Sequence, residues 1–351
     1  MRPLLLVFVF FLLNGCKKET IDSDLGVSFT YEPKEIRDGV RVGEIYKTGN
    51  FAAFTDLAYF NQSWFAVFRV GTEHVGGING QIKILRSDDA MATWKIEKII
   101  EIDSLDLRDP KLAVDSLNKS LYINFFGSNN NTVENFLISY NDRSWGTPYE
   151  ITYDDQKDKF VFWRLTYRGG KMYCAAYRTP IFGGYSVDNI GLFEGEQNFR
   201  HYKTLGRVEL GGSANEATVR FDDNNKMYFL IRAERTNVAL GFASAPNYNK
   251  VKWLNTASLV RLASPNFLIY KGKLIITGRD VEEKTFKLFY YDPITSKVIR
   301  KFTFPSGYET GYGGMSFNPA NKNELLITYY SITSSKSYIE LARIDLEKFL
   351  Q

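Results

Sequence analysis

The chain has 351 residues, 44% hydrophobic and 15% aromatic, with a net charge of +4 from 44 basic and 40 acidic side chains. That much apolar material excludes a disordered protein, and without a basic run or basic helix the sequence gives no reason to expect a nucleic-acid partner. The aromatics are mostly Tyr and Phe, which suits a sheet-rich protein.

Met1-Arg2-Pro3 followed by the apolar residues 4–13 has the short basic start and apolar core of an export signal, too short to span a bilayer as a mature helix. It runs into Leu13-Asn14-Gly15-Cys16, which resembles the bacterial lipobox. The resemblance implies a lipoprotein signal peptide over residues 1–15, lipidation at Cys16 and a tether and leading segment over residues 16–40. It also implies a lipid-anchored place in the bacterial cell envelope, at the outer membrane or cell surface. An ordinary cleaved signal is the alternative. Cys174 is then the remaining thiol; in the apolar run 172–177 it reads as a small buried hydrophobe, and with no partner for a disulfide, stability must come from packing.

From residue 41 to 351 one unit recurs about every 50 residues: a strand, a polar turn, a second strand ending in a polar or basic residue, then two further strands. The first copy covers residues 54–69, 81–85 and 94–100, and the second begins at Asp106-Leu107-Arg108-Asp109-Pro110 and includes 121–126. The third holds Phe162-Trp163-Arg164 and residues 172–178. The fourth is a hairpin over residues 215–232, turned by Asp222-Asp223-Asn224-Asn225, followed by 238–243 and 251–254. Residues 266–270, 274–279 and 286–291 make the fifth, and 312–317, 324–330 and 338–344 the sixth. The sixth lacks a fourth strand, and residues 41–47 are expected to supply it. Six such units predict an all-β, six-bladed β-propeller.

In a propeller the innermost strand starts on the face where the second strand ends, so both positions should converge on one central pocket. Four second strands end in arginine, Arg69, Arg178, Arg232 and Arg279, expected at one repeat position. The inner strands start with Asp56, Arg108 and Asp109, Arg164, Glu216, Asn266 and Tyr312. The hairpin places Glu216 beside Arg232. His74, one of two histidines, lies in the glycine-rich loop 70–80 near the same pocket, and His201 falls in the outer part of the third repeat.

Ser87-Asp88-Asp89-Ala90-Met91-Ala92-Thr93-Trp94 fits the Asp-box pattern Ser-x-Asp-x-Gly-x-Thr-Trp, with Met91 where glycine is usual. Residues 139–145 and 244–253 look like eroded copies. With Asp109-Pro110 in the second repeat, Glu216 and Arg232 in the fourth, Arg279 in the fifth, Arg69 in the first and Tyr312 in Gly311-Tyr312-Gly313-Gly314, the chain resembles the sialidase (neuraminidase) superfamily over most of residues 50–345. The resemblance implies a tyrosine nucleophile, Tyr312, relieved of its proton by Glu216, with arginines holding a substrate carboxylate and an aspartate of the first blade as general acid. Two departures stand out. Phe54-Thr55-Asp56-Leu57 has no arginine where the family has one, leaving Arg108 or Arg164 to substitute. The loop 70–80 has no aspartate, leaving Asp56, Glu73 or His74 as acid.

Two separated histidines and one spare cysteine suggest no metal site, the acidic turn lacks the glycine and terminal glutamate of a calcium loop, and no nucleotide loop calls for a cofactor. The expectation is a monomeric, sialidase-like exo-glycoside hydrolase with Tyr312, Glu216, Asp56 and His74 as catalytic candidates. Arg69, Arg108, Asp109, Arg164, Arg178, Arg232 and Arg279 are the substrate-binding candidates, and the partner is a glycan with an acidic terminal sugar. A non-catalytic glycan-binding or scaffold lipoprotein is the alternative, and a polysaccharide lyase using Tyr312 and His74 a third.

Overall fold

A computed structural model describes residues 24–74, 80–129, 132–141, 143–154, 158–178, 189–196 and 198–351. The expected export signal and Cys16 lie outside the described residues. Six sheets, antiparallel but for a short parallel pair between Thr152–Tyr153 and residues 201–202, make the blades, and the innermost strand of each is the first of its four-strand repeat. The innermost strands are Phe51–Phe60, Asp106–Asp115, Phe160–Arg168, Ala214–Phe221, Leu262–Tyr270 and Glu309–Asn318. Each packs beside the next and the sixth returns to the first, which makes the all-β, six-bladed propeller. The ring is closed by Val40–Thr48, which pairs along the outer side of Ser337–Asp345 as the fourth strand of blade 6.

The second strands are buried on both faces, as in Ser63–Gly71, where every residue is buried, and the cores lie between blades. One core joins Phe54, Trp64 and Phe68 of blade 1 to Leu326 and Tyr330 of blade 6; another joins Phe162 and Cys174 of blade 3 to Leu137 of blade 2. Burial drives the Cys174 thiol well above its ordinary pKa, as suits an inert core residue.

One irregularity recurs in every blade. The register of each inner strand slips by one residue against its neighbour, between Ala53 and Asp56, Arg108 and Lys111, Phe162 and Leu165, Ala214 and Ala217, Ala263 and Asn266, and Gly311 and Gly314. A bulge of this kind re-aims the extra residue out of the ladder. The residues it displaces first are Phe54, Asp109, Trp163, Asn215, Ser264 and Tyr312, and four of them, Phe54, Asp109, Ser264 and Tyr312, sit at φ between 51° and 64°. The inner strands therefore start upstream of the residues that sequence reasoning took as their first. Left-handed backbone at Phe or Tyr is not a strand signal, so the bulge hides the true start.

Buried or partly buried polar side chains stitch the junctions between successive blades. Asp56 Oδ2 accepts from Leu112 N, and Asn124 Nδ2 donates to the carbonyls of Phe162 and Trp163. Thr166 donates to Val219 O, Thr218 to Pro265 O, Asn266 to Gly313 O, and Thr55 to Tyr312 O. At the closing seam Gly314 is indispensable: a Cβ there would lie 2.4 Å from Leu57 N and 2.5 Å from Asp56 Cα, both backbone atoms.

The Ser87–Trp94 turn is held by its own side chains. Asp89 accepts from Ser87 Oγ, Thr93 N and Thr93 Oγ1, and Ser87 Oγ accepts from Met91 N. Met91 stands at φ 75° and Trp94 is fully buried. The polar tetrad of the fourth repeat is likewise a turn, with Asp222 Oδ1 accepting from Asn224 N and Lys226 N.

Candidate active site

Tyr312 is displaced by the bulge of blade 6 to the mouth of the ring. A bulky residue at φ 53° carries strain on the order of 1–3 kcal/mol, and both of its backbone groups are clamped by neighbouring blades. Its N–H donates to Ser264 Oγ of blade 5 at 2.9 Å, and its carbonyl accepts from Thr55 Oγ1 of blade 1 at 2.7 Å. The ring is packed by Phe54, centroid to centroid 4.6 Å, and by Trp163 and Tyr330 at 5.8 and 6.1 Å.

The phenol donates to Glu216 Oε1 at 2.7 Å. Glu216, itself displaced by the bulge of blade 4, is fixed at both carboxylate oxygens and at its N–H: Oε2 accepts from Ser264 N at 2.6 Å, Oε1 also meets Arg232 Nη1 at 3.1 Å, and its own N–H donates to Asn215 Oδ1. Arg232 reaches Glu234 with its other terminal nitrogen, 2.8 Å away. Burial, then the charges of Glu216 and Asp109, push the Tyr312 hydroxyl well above its ordinary pKa, against the pull of Arg232. The resting phenol is therefore protonated, and the carboxylate beside it is positioned to accept that proton.

Asp109 occupies the equivalent bulge position in blade 2. Its Oδ1 is buried without a hydrogen-bond partner among the described residues, and Lys111 Nζ stands 4.0 Å away. Burial raises Asp109 to about 6, against Lys111, with Glu216 adding to the rise and Arg108 and His74 opposing it. Lys111, 2% exposed, has its ammonium 4.8 Å from the Trp163 ring centroid and 5.5 Å from that of Tyr312. Burial lowers it to about 8 despite Asp109.

The arginines divide. Arg279 and Arg69 pair with Ala263 and Ala53 at equivalent register. Arg232 sits one residue before that position, opposite the bulge of its own blade, and Arg178 two residues past it. The expectation of four arginines at one repeat position is thus corrected to two, because an arginine-ending strand motif does not reveal the register. Arg279 is half-buried and makes no hydrogen bond or ion pair among the described residues, its Nε included. Arg108 gives its Nε to Asp106 Oδ2 at 2.7 Å. Arg69 is fully buried, bound twice by Asp106 Oδ1 and once by Glu73 O, and pressed between Gly71 and Gly80, where any Cβ would fall within 2.6 Å of the guanidinium. It holds Asp106, and through it Arg108, rather than facing the opening. Arg178 is half exposed and ion-paired with Asp158 at 2.8 Å, away from Tyr312.

Asp56 and Arg164 are joined at 2.6 Å, 1% and 4% exposed, so neither is open to a ligand. Their buried pair, with Leu112 N on the same Asp56 oxygen, ties blades 1, 2 and 3 together beneath the site. The sequence could not separate this pair from the site because the same strand positions serve both layers. His74 contacts Glu309 across Nδ1–Oε1 at 2.5 Å, with Phe51 and Phe54 against its ring. Glu73 is exposed, and His201 is exposed beside Asp154.

Ser264, Asp106, Glu234, Glu309 and Lys111 escaped sequence reasoning. Ser264 holds in blade 5 the bulge position that Tyr312 holds in blade 6; Asp106, Glu309 and Lys111 act through contacts between blades that no local pattern encodes, and Glu234 meets Arg232 and Asn215 within blade 4. Among the described residues no group of three His, Cys, Asp or Glu is placed to hold a metal, and no helix is long and apolar enough to cross a membrane.

No family profile and no curated protein matches the chain. Among solved structures it is similar to the leech intramolecular trans-sialidase complexed with 2,7-anhydro-Neu5Ac, at 10% identity and a TM-score of 0.65, over 86% of this chain and 69% of that one. It is similar also to the intramolecular trans-sialidase from Ruminococcus gnavus in complex with oseltamivir carboxylate, at 9% identity and a TM-score of 0.65, over 86% of this chain and 96% of that one. At such identity the likeness speaks for the fold, a six-bladed propeller of the sialidase kind.

Proposed function

We propose that the protein is an exo-acting glycoside hydrolase that removes an acidic terminal sugar from envelope or host glycans, as a monomer anchored at the cell envelope through Cys16. The observation that carries this is the 2.7 Å contact between Tyr312 and Glu216, made by a tyrosine whose backbone is clamped from both sides. Such a pair supplies a neutral nucleophile and a fixed base, the alternative to two carboxylates at an anomeric centre. Arg279, Arg232 and Arg108 are the cations that meet the sugar's carboxylate. The test is incubation of the purified protein with sialosides, uronides and neutral glycosides. Release of an acidic sugar, lost in Tyr312→Phe, supports the reading; turnover of neutral glycosides alone, or of none, overturns it. The products also separate hydrolysis from intramolecular transfer, which yields an anhydro sugar.

A specific observation favours a second reading, a glycan-binding protein without turnover. At the start of blade 1, Phe54 packs on Tyr312 where a cation is wanted, and Arg69 is already consumed by Asp106. Binding of an acidic glycan without release, unaffected by Tyr312→Phe, would favour it.

A further inference from the structure

Cleaving a glycoside also requires a proton for the departing oxygen, and Asp56 is sealed against Arg164. We propose that His74 is the general acid of this site and Glu309 the residue that positions it, an assignment that rests on the hydrolase reading above. Glu309 stands three residues before Tyr312 on the inner strand of blade 6, and His74 follows the second strand of blade 1, so the contact spans the seam next to the nucleophile.

The carboxyl of Glu309 feels burial, which works to raise its pKa, but His74, Tyr330 and Arg279 together hold it below the ordinary value. It is therefore a carboxylate, which can only accept, so His74 Nδ1 must carry the hydrogen in their 2.5 Å contact. That fixes the ring and leaves Nε2 to exchange the catalytic proton; Nε2 has no partner among the described residues. The Phe51 and Phe54 rings hold the imidazole at 5.1 and 5.2 Å, and Phe54 in turn touches Tyr312 at 4.6 Å. The charged and titratable groups around the dyad are Tyr330, whose hydroxyl is 3.3 Å from Glu309, Arg279 beside the same carboxylate, and Asp109, which feels the His74 charge.

Position separates His74 from the other acid in reach. Asp109 is 7% exposed, with Lys111 Nζ 4.0 Å from its carboxyl and the same ammonium against the Tyr312 ring, so it lies beneath the nucleophile rather than toward solvent. A leaving group still attached to the rest of a glycan must point to solvent, and the His74 side chain is 41% exposed. In the first step Tyr312 Oη bonds to the anomeric carbon and its proton passes to Glu216. The bond to the leaving oxygen breaks with its electron pair, and that oxygen takes the proton from His74 Nε2. In the second step Nε2 takes a proton from water as the water oxygen bonds to the anomeric carbon; the Tyr312 oxygen leaves and recovers its proton from Glu216.

The test compares two glycosides of one acidic sugar, a 4-nitrophenyl glycoside whose leaving group needs no proton and an alkyl glycoside whose leaving group does. His74→Asn is expected to lower kcat/KM on the alkyl glycoside by roughly 10²- to 10³-fold, and by less than about tenfold on the nitrophenyl one. It should also remove the basic limb of the alkyl pH profile. Glu309→Gln should show the same leaving-group selectivity to a smaller degree, with the thermal midpoint of each variant confirming the fold. Equal losses on both glycosides, no loss on either, or a selective loss in Asp109→Asn instead would overturn the assignment. If wild type cleaves neither glycoside, the hydrolase reading falls and takes this assignment with it; if wild type cleaves both, only the variants decide.

Discussion

Tyr312 and Glu216 come from blades 6 and 4, separated along the ring by blade 5, and Ser264 of that intervening blade binds both: its Oγ accepts from Tyr312 N, and its N–H donates to Glu216 Oε2. The phenol and the carboxylate are thus set against each other by one residue. Tyr312→Phe keeps the backbone clamps and removes only the hydroxyl, so it should fold normally and lose about 10³-fold or more in kcat/KM on an acidic glycoside. Ser264→Ala removes the Tyr312 clamp but not the Glu216 contact, and should lower kcat with little change in KM.

Glu216→Gln bears on the charge of the phenol. Burial is the larger cause of the raised Tyr312 pKa and the Glu216 charge the next. Neutralising that charge should move the Tyr312 transition toward its ordinary value without reaching it. Ultraviolet difference titration, with Tyr312→Phe as the blank, checks this; an unchanged or higher transition contradicts it.

Asp109 and Lys111 predict a stability profile with opposite slopes on its two sides. Asp109 is raised from its ordinary 3.8 to about 6 by burial, so the native state holds its proton longer than the unfolded chain. Stability from this group is present below its ordinary pKa and falls as pH rises to about 6, by something on the order of 2–3 kcal/mol. Lys111 is lowered from 10.5 to about 8, so stability from it rises as pH climbs between those values. Denaturant melts of wild type against Asp109→Asn should differ progressively more between about pH 4 and 6. The same comparison with Lys111→Met should shift between about pH 8 and 10.5.

The Asp56–Arg164 pair is expected to matter for stability rather than for chemistry. Arg164→Met strands a carboxylate that is 1% exposed, at about 3–5 kcal/mol. The thermal midpoint should fall by roughly 10 °C, with part of the loss recovered in the double variant Asp56→Asn/Arg164→Met. A variant that melts like wild type but has lost turnover would return Asp56 to the catalytic list.

Gly314→Ala places a Cβ 2.4 Å from Leu57 N and 2.5 Å from Asp56 Cα, backbone atoms of the inner strand of blade 1 that cannot swing aside as a side chain could. The seam between blades 6 and 1 should open, with a thermal midpoint lowered by roughly 10 °C or more or no soluble protein at all.

The propeller was legible because each repeat announces itself locally, through alternating apolar residues and polar turns such as Asp222 to Asn225. Glu216 and Arg232 were legible as neighbours for the same reason, being the two ends of one hairpin. What stayed hidden depends on the bulges. Asp56 and Tyr312 both lie near the start of an inner strand, yet the slipped register sends Tyr312 to the mouth and leaves Asp56 in the sealed layer with Arg164. Arg69 and Arg279 look alike in sequence and share a register, but Asp106, contributed by the next blade, takes up the first. Contacts between blades decide such cases, and a repeat pattern describes blades one at a time.

The closing strand Val40–Thr48 completes the sheet that carries Tyr312, although Arg41 and its partner Arg343 are roughly 300 residues apart along the chain. During synthesis the Glu216–Arg232 hairpin can form long before blade 6 exists. The sheet that holds Tyr312 is finished only when the two ends of the propeller meet. A chain that lacks Val40–Thr48 or the strands of blade 6 therefore carries Glu216 without a properly seated Tyr312, so that the contact between them reports on closure of the ring.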